Sequence, residues 1–153
     1  AVPRKRSRAE SVPPSLDAQP GPVRCGPGPA ADFEAAVAAR DPAASLFELA
    51  NRSAVRLRVA GTVLEVPQDR GAREHSGGVV WETAYFLLRF LEREVLPARG
   101  SCRVLELGAG CGLLGSGSAC LGCSVVLTEQ LPALAHLRRS AEAEGGEAQA
   151  LEW

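Results

Sequence analysis

The sequence predicts an α/β fold in which strands and helices alternate along the second half of the chain. Three observations support this class. Between residues 102 and 151, segments follow in the order strand, helix, strand, helix, strand. A glycine-rich turn, Gly108-Ala109-Gly110, comes directly after the first of these strands, and a carboxylate, Glu129, ends the second. Because such a succession needs crossover connections, it predicts a parallel sheet.

Length and composition are those of one globular domain. The 153 residues suffice for a real core, and 46% hydrophobic residues with a net charge of −1 exclude a largely disordered or polyanion-binding chain. No apolar run reaches the roughly 20 residues that a membrane helix needs, and no signal peptide is recognisable. We therefore expect a cytoplasmic protein, with the nucleus as the alternative, that binds neither nucleic acid nor membrane.

The N-terminal segment differs from the rest. Residues 1–30 are rich in proline and arginine and are predicted to form a disordered arm. The run Arg4-Lys5-Arg6 resembles a nuclear address or a nucleic-acid patch, but a solvated charged tail is the favoured interpretation. The folded part is predicted to span residues 31–153, beginning with a helix that Asp32 caps.

The elements before the glycine turn follow from periodicity. Val55, Leu57 and Val59 alternate with arginines, and Thr62 to Val66 alternate again after Ala60-Gly61, so residues 55–66 are predicted to form a β-hairpin. From residue 80 to 95, apolar residues recur every three or four positions, which predicts an amphipathic helix that ends before Pro97. This helix opens the cofactor-binding half, residues 80–153.

The later elements complete the alternation. They are a buried strand over 102–107, a helix over 113–121 that Gly122 ends, a strand over 123–128, a helix over 132–144, and the opening of a third strand at 147–151. The five cysteines are an odd number, and the Cys120–Cys123 pair lies at a helix end with no second ligand pair nearby. We therefore predict small buried side chains without a disulfide framework or metal site.

The glycine turn predicts a site for a ligand with an anionic or polar tail. Gly108 and Gly110 can adopt conformations closed to other residues, and they leave no side chain between a ligand and the main chain. The helix that follows presents free N–H groups. Glu129 lies where a carboxylate can accept bonds from both ribose hydroxyls. The turn alone also fits dinucleotide binding.

Glu106 distinguishes between these ligands. It lies two residues before Gly108, within the first strand, where dinucleotide folds usually have an apolar residue because a diphosphate lies nearby. A carboxylate there suits a ligand with an ammonium group. S-adenosylmethionine has an amino group, a carboxylate and a ribose but no phosphate, so we predict it as the cofactor in preference to a nicotinamide dinucleotide.

The same segments resemble a known family, the methyltransferase-like protein-lysine methyltransferases of the seven-strand class. The resemblance covers about residues 55–153 and is carried by the segments 78–84, 87–92, 104–112, 127–129 and 151–153, including a Val-Trp before the first strand and a Leu-x-Trp at the third. It implies a Rossmann-like seven-strand methyltransferase fold. This chain would supply its N-terminal half, about three parallel strands, preceded by the β-hairpin.

The resemblance also implies roles for individual residues. Trp81 would lie beside the methionine moiety of the cofactor, which Gly108, Ala109 and Gly110 would line, while Glu129 would bind the ribose and Trp153 would border the adenine. From periodicity alone, Trp81 is instead a core residue of an amphipathic helix and Trp153 an apolar residue at a strand end. The implied reaction is methyl transfer from S-adenosylmethionine to a lysine of a non-histone protein.

Two features depart from the family pattern. The stretch Gly115-Ser116-Gly117-Ser118 is a poor helix interior, since each glycine costs on the order of 1 kcal/mol relative to alanine. The Asp-x-x-Tyr motif that follows the family's fourth strand is absent, so no catalytic residue is assigned. In the family's sheet the first strand is central, with the fourth strand on its other side. With only the first three strands, residues 102–107 would form a long apolar edge, which native domains avoid.

We therefore expect the chain to belong to a longer product, monomeric when complete, or to be an isoform that is not a stable enzyme alone. The alternatives are a cofactor-binding pseudoenzyme that docks partners through the sheet edge, and a nicotinamide-dependent oxidoreductase.

Overall fold

Two three-stranded sheets form the framework of the described chain. The computed structural model describes residues 24–26, 32–71, 76–100, 102–142 and 147–151. An antiparallel sheet has the order β1-β3-β2, and its strands are β1 (Arg24–Gly26), β2 (Ala54–Val59) and β3 (Thr62–Pro67). A parallel sheet has the order β4-β5-β6, and its strands are β4 (Arg103–Glu106), β5 (Ser124–Glu129) and β6 (Glu147–Ala150). The predicted α/β class with a parallel sheet is confirmed.

Helices connect and cover these strands. They are α1 (Asp32–Val37), α2 (Pro42–Leu49), α3 (Glu82–Phe90), α4 (Leu96–Arg99), α5 (Leu113–Cys120) and α6 (Leu131–Glu142), with a 3₁₀ turn at Ser76–Gly78 and a π-helical turn at Leu91–Val95. Within the described residues, no helix has both the length and the apolar character needed to cross a membrane. The helices and strands after residue 102 fall within a few residues of their predicted bounds.

The predicted hairpin is present. Val55 pairs with Val66 and Val59 with Thr62 across β2 and β3. Ala60 and Gly61 both have positive φ, 47° and 82°, the backbone of the two-residue turn that matches strand twist. Val55 and Leu57 are fully buried, as their alternation predicts.

The N-terminal prediction needs two corrections. Residues 24–26 were expected within the disordered arm, but they pair with β3, whose outer edge offers backbone groups that a strand can satisfy. Asp32 was expected to cap α1. Its carboxylate instead accepts a bond from the backbone N–H of Arg56 at 2.9 Å and one from the Arg52 guanidinium at 2.6 Å. It therefore ties the helix to β2. The other residues of 1–30 lie outside the described part.

The helix before the parallel sheet is longer than predicted. Pro97 was expected beyond its end, but helical backbone continues through the π turn into α4, which ends at Arg99. Pro97 lies in the first turn of α4, directly after the π-helical turn, where its fixed φ fits the helix. On α3, Tyr85 and Leu88 face the core, and Tyr85 stacks on Phe33 with ring centroids 4.7 Å apart.

Helix α5 has glycine at positions 115 and 117 because two neighbouring leucines leave no room for a side chain there. A Cβ on Gly115 would lie 2.0 Å from Leu127 of β5, and a Cβ on Gly117 would lie 2.3 Å from Leu88 of α3. Both leucines are buried. The glycines that make α5 a poor helix by propensity therefore allow it to pack against the parallel sheet and α3 at once.

Strand β4 lies at one edge of the parallel sheet. It was predicted to be buried, but Leu105 is 64% exposed and Leu107, just beyond the strand, is 63% exposed. Among the described strands, β4 pairs only with β5, so its other edge is unpaired. The predicted apolar edge is thereby confirmed. The carboxyl ends of β4 and β5 lead into the candidate site.

Candidate functional site

A cavity of about 750 Å³ lies at the carboxyl ends of β4 and β5. In parallel sheets this is the edge where ligands bind. The segment 76–81 and the start of α3 form one wall of the cavity, and the turn after β4 with the end of β5 forms the other. The predicted site residues among its lining are Trp81, Glu106, Gly108, Ala109, Gly110 and Glu129.

The glycine turn has the predicted left-handed backbone. Gly108 and Gly110 have φ values of 66° and 53°, which side-chain-bearing residues rarely adopt. A Cβ on Gly110 would also lie 3.4 Å from the carbonyl oxygen of Gly77 on the opposite wall. The N–H of Ala109 donates to the carbonyl of Thr128 at 3.0 Å, which fixes the turn against β5.

Glu129 fixes the same turn from the end of β5. One carboxylate oxygen accepts the N–H of Gly110 at 2.8 Å, and the other accepts the N–H of Gln130 at 2.8 Å. The residue is only 8% exposed, but it lines the cavity. Because each carboxylate oxygen has two lone pairs, Glu129 can accept further bonds from a ligand. Its structural role at the turn was not predicted.

Glu106 places a carboxylate beneath the turn. Its Oε2 is buried and has no hydrogen-bond partner among the described residues. The position that a Cβ on Gly115 would occupy is 2.8 Å from this oxygen, so the glycine of α5 also makes room for it. The pKa of Glu106 is raised to about 7, mainly by burial; the backbone of Gly115 acts to lower it and the charge of Glu129 to raise it, both less strongly. A ligand cation would satisfy this oxygen.

Trp81 lies on the cavity wall rather than in the core. It precedes the first turn of α3, its side chain is 53% exposed, and its indole N–H donates to the carbonyl of Ser76 at 3.2 Å. The interpretation of Trp81 as a core residue, drawn from periodicity, is therefore wrong. Trp153 lies outside the described residues, so its predicted place beside an adenine stays a prediction.

The cysteines contribute packing more than chemistry. Cys111 is buried, its thiol donates to the carbonyl of Gly77 at 3.3 Å, and burial raises its pKa to about 12. The Sγ of Cys123 lies 3.4 Å from that of Cys102, just before β4. Among the described residues, no group of three or more potential ligands could hold a metal ion.

Apart from Trp81, sequence reasoning missed the wall opposite the glycine turn. Gly77 and Val80 line the cavity, and Gln68 holds this segment from behind. The glycine pair Gly77-Gly78 and a polar residue directly after β3 were the available signals. Neither indicates by itself which distant segment it contacts.

The fold and the site define a methyltransferase-type domain: a parallel sheet with a glycine turn after its first strand and a carboxylate ending the second. The family described as "Lysine methyltransferase" matches residues 59–153, which is more than half of the chain. The chain belongs to this family. Membership of this family implies S-adenosylmethionine as the methyl donor. The buried Glu106 oxygen that has no hydrogen-bond partner among the described residues lies beside the glycine turn, and its charge suits the ammonium group of that ligand.

Curated relatives agree with this assignment. Protein N-lysine methyltransferase METTL21A of Danio rerio is 38% identical over 87 residues, covering 57% of this chain and 39% of the relative. EEF1A lysine methyltransferase 3 of Xenopus tropicalis is 36% identical over 83 residues, covering 54% and 37% respectively. The Mus musculus protein of the same name is 32% identical over 113 residues, covering 71% and 48%. The chain thus spans half or less of the length of these relatives.

Proposed function

We propose that this chain is the cofactor-binding part of an S-adenosylmethionine-dependent protein-lysine N-methyltransferase. The observation that carries the proposal is the joint placement of Glu106, the glycine turn and Glu129 around one cavity. The family match and the names of the relatives support the reaction class.

Different residues of the cavity are suited to bind different groups of the cofactor. Glu106 faces the end where an ammonium would pair with its buried oxygen, and the backbone of Gly108 and Gly110 would lie against the methionine moiety beside Trp81. Glu129 would accept the ribose hydroxyls. When bound, the cofactor supplies an activated methyl group on a sulfonium, and the protein aligns the acceptor and excludes water.

The acceptor is proposed to be a lysine side chain of a non-histone protein. Its amine must be neutral to attack, so a group near the acceptor has to desolvate or deprotonate it. We assign no catalytic base among the described residues. The thiol of Cys111 is not a candidate, since burial raises its pKa to about 12.

The proposed setting is a cytoplasmic monomer that uses neither nucleic acid nor membrane as a partner. Cys102, Cys111 and Cys123 are thiols that form no disulfide, which suits a reducing compartment. Fluorescence microscopy of a tagged chain would test the location, and enrichment in the nucleus would favour the alternative.

Calorimetric titration tests the cofactor assignment. The chain should bind S-adenosylhomocysteine and show no comparable affinity for NAD, because a diphosphate would meet the carboxylate of Glu106. A preference for NAD would overturn the proposal. The transfer step is tested by incubating the chain with isotope-labelled S-adenosylmethionine and a cell extract. Cofactor binding without any labelled lysine would favour the alternative of a cofactor-binding pseudoenzyme that docks partners.

A further inference from the structure

The wall formed by residues 76–80 contains one 3₁₀ turn, at Ser76–Gly78, and no helix or strand. Its backbone faces the glycine turn closely: the carbonyl of Gly77 accepts the Cys111 thiol at 3.3 Å and lies 3.4 Å from the position of a Cβ on Gly110. A small displacement of this segment would therefore change the width of the cavity where the cofactor's methionine end is proposed to lie.

Gln68 holds this segment from the side away from the cavity. The side chain is 4% exposed and follows directly after β3. Its Oε1 accepts the N–H of Val80 at 2.6 Å, and its Nε2 donates to the carbonyls of Leu49 at 2.9 Å and Arg52 at 2.8 Å. One amide thus joins the end of α2, the end of β3 and the cavity wall.

A second bond strengthens this attachment. The N–H of Asp69 donates to the carbonyl of Gly78 at 2.7 Å, so two successive residues after β3 bond to two backbone groups of the wall. The arrangement fits a positioning element better than simple core filling. An apolar side chain of similar size would fill the space but leave the N–H of Val80 and the carbonyl of Arg52 without this partner, while the carbonyl of Leu49 would keep its bond from the N–H of Arg52.

We propose that Gln68 is a positioning residue for the cofactor cavity. It holds the backbone at Val80 so that Gly77 and Trp81 stand at the separation from the glycine turn that the cofactor requires. The inference rests on the proposed function and deepens it. Without this bond the wall would sample other positions, and the measured affinity would fall by the fraction of molecules whose wall is in place.

The test combines amide exchange with cofactor titration. In Gln68→Leu, hydrogen exchange of the peptide containing Val80 should accelerate. Affinity for S-adenosylhomocysteine should fall about 10-fold, which corresponds to a wall that is in place in about one molecule in ten. Gln68→Asn keeps the amide but is one methylene shorter, so its oxygen should no longer reach the N–H of Val80 and it should show the same changes. This second variant replaces Gln68→Leu in both measurements if Gln68→Leu does not fold.

Thr62→Val is the matched control. It removes one side-chain bond, from Thr62 Oγ1 to the carbonyl of Val59 at 2.9 Å, at the opposite end of β3. Its affinity should stay within about twofold of the wild type even if its melting temperature falls. A folded Gln68 variant with wild-type affinity and exchange would overturn the positioning role while leaving the proposed function intact. Absence of binding by the wild-type chain would overturn both.

Discussion

Replacing Glu106 with glutamine should stabilise the chain at neutral pH and change little in acid. Burial raises the pKa of the Glu106 carboxyl from the ordinary 4.5 to about 7. Between these values the folded chain keeps a proton that the unfolded chain has released. Since the folded state binds more protons, the free energy of unfolding falls as the pH rises from 4.5 through about 7.

The size of this effect follows from the two pKa values. Their separation corresponds to about 3 kcal/mol of stability that the wild type loses on going from acid to above pH 7. Glutamine has nearly the same shape and no charge at any pH, so the variant avoids this loss. We expect its advantage in the free energy of unfolding to be close to zero near pH 4.5 and to level off above pH 7.

Urea denaturation followed by far-ultraviolet circular dichroism, repeated across this pH range, measures the effect. Glu48→Gln, on the exposed surface of α2, is the control and should track the wild type at every pH. An advantage of Glu106→Gln that does not depend on pH, or a variant less stable than the wild type above pH 7, would show that burial does not hold the proton on Glu106.

Three further predictions concern the cavity and α5. Glu129→Ala should weaken S-adenosylhomocysteine binding by roughly 1.5–3 kcal/mol in calorimetry, because a charge-assisted contact is lost; unchanged affinity in a folded variant would refute the ribose assignment. The affinity of the wild type for S-adenosylhomocysteine should rise between about pH 6 and pH 8, because Glu106 loses its proton in this range and can then pair with the ligand's ammonium. The rise should be absent in Glu106→Gln, and a parallel rise in both proteins would contradict this pairing. Gly115→Ala should lower the free energy of unfolding by about 1–3 kcal/mol through overpacking, whereas Gly26→Ala, with open space around it, should be neutral in the same denaturation assay.

The elements after residue 102 could be predicted because their signals are local. Glycines mark the turn at Gly108 and the helix end at Gly122, and alternating apolar segments separate the strands. The hairpin was equally local, since Ala60-Gly61 suits its turn. What remained hidden depends on distant partners. The carboxylate of Asp32 reaches β2, and β1 joins the sheet through β3.

For the site as well, features with a local sequence signal could be predicted and features that depend on distant partners could not. The glycine turn and both carboxylates follow from motif and spacing, and the structure brings them to one cavity. The exposure of Trp81 could not be inferred, because helical periodicity does not show where the helix starts. The need for Gly115 and Gly117 was also hidden, since propensity counts only their cost within α5. The tight packing of Leu127 and Leu88 is visible only when the sheet and α3 are in place.

The bonds between the glycine turn and β5 have a kinetic consequence. The Ala109 amide, the Gly110 amide and the Thr128 hydroxyl, which donates to the carbonyl of Glu106 at 2.7 Å, join the turn to the neighbouring strand through protein atoms alone. The glycine turn is therefore ordered as soon as the sheet forms, so ligand binding does not include the entropy cost of ordering it. Association at this end of the cavity should proceed in one step, without a slow rearrangement of the turn.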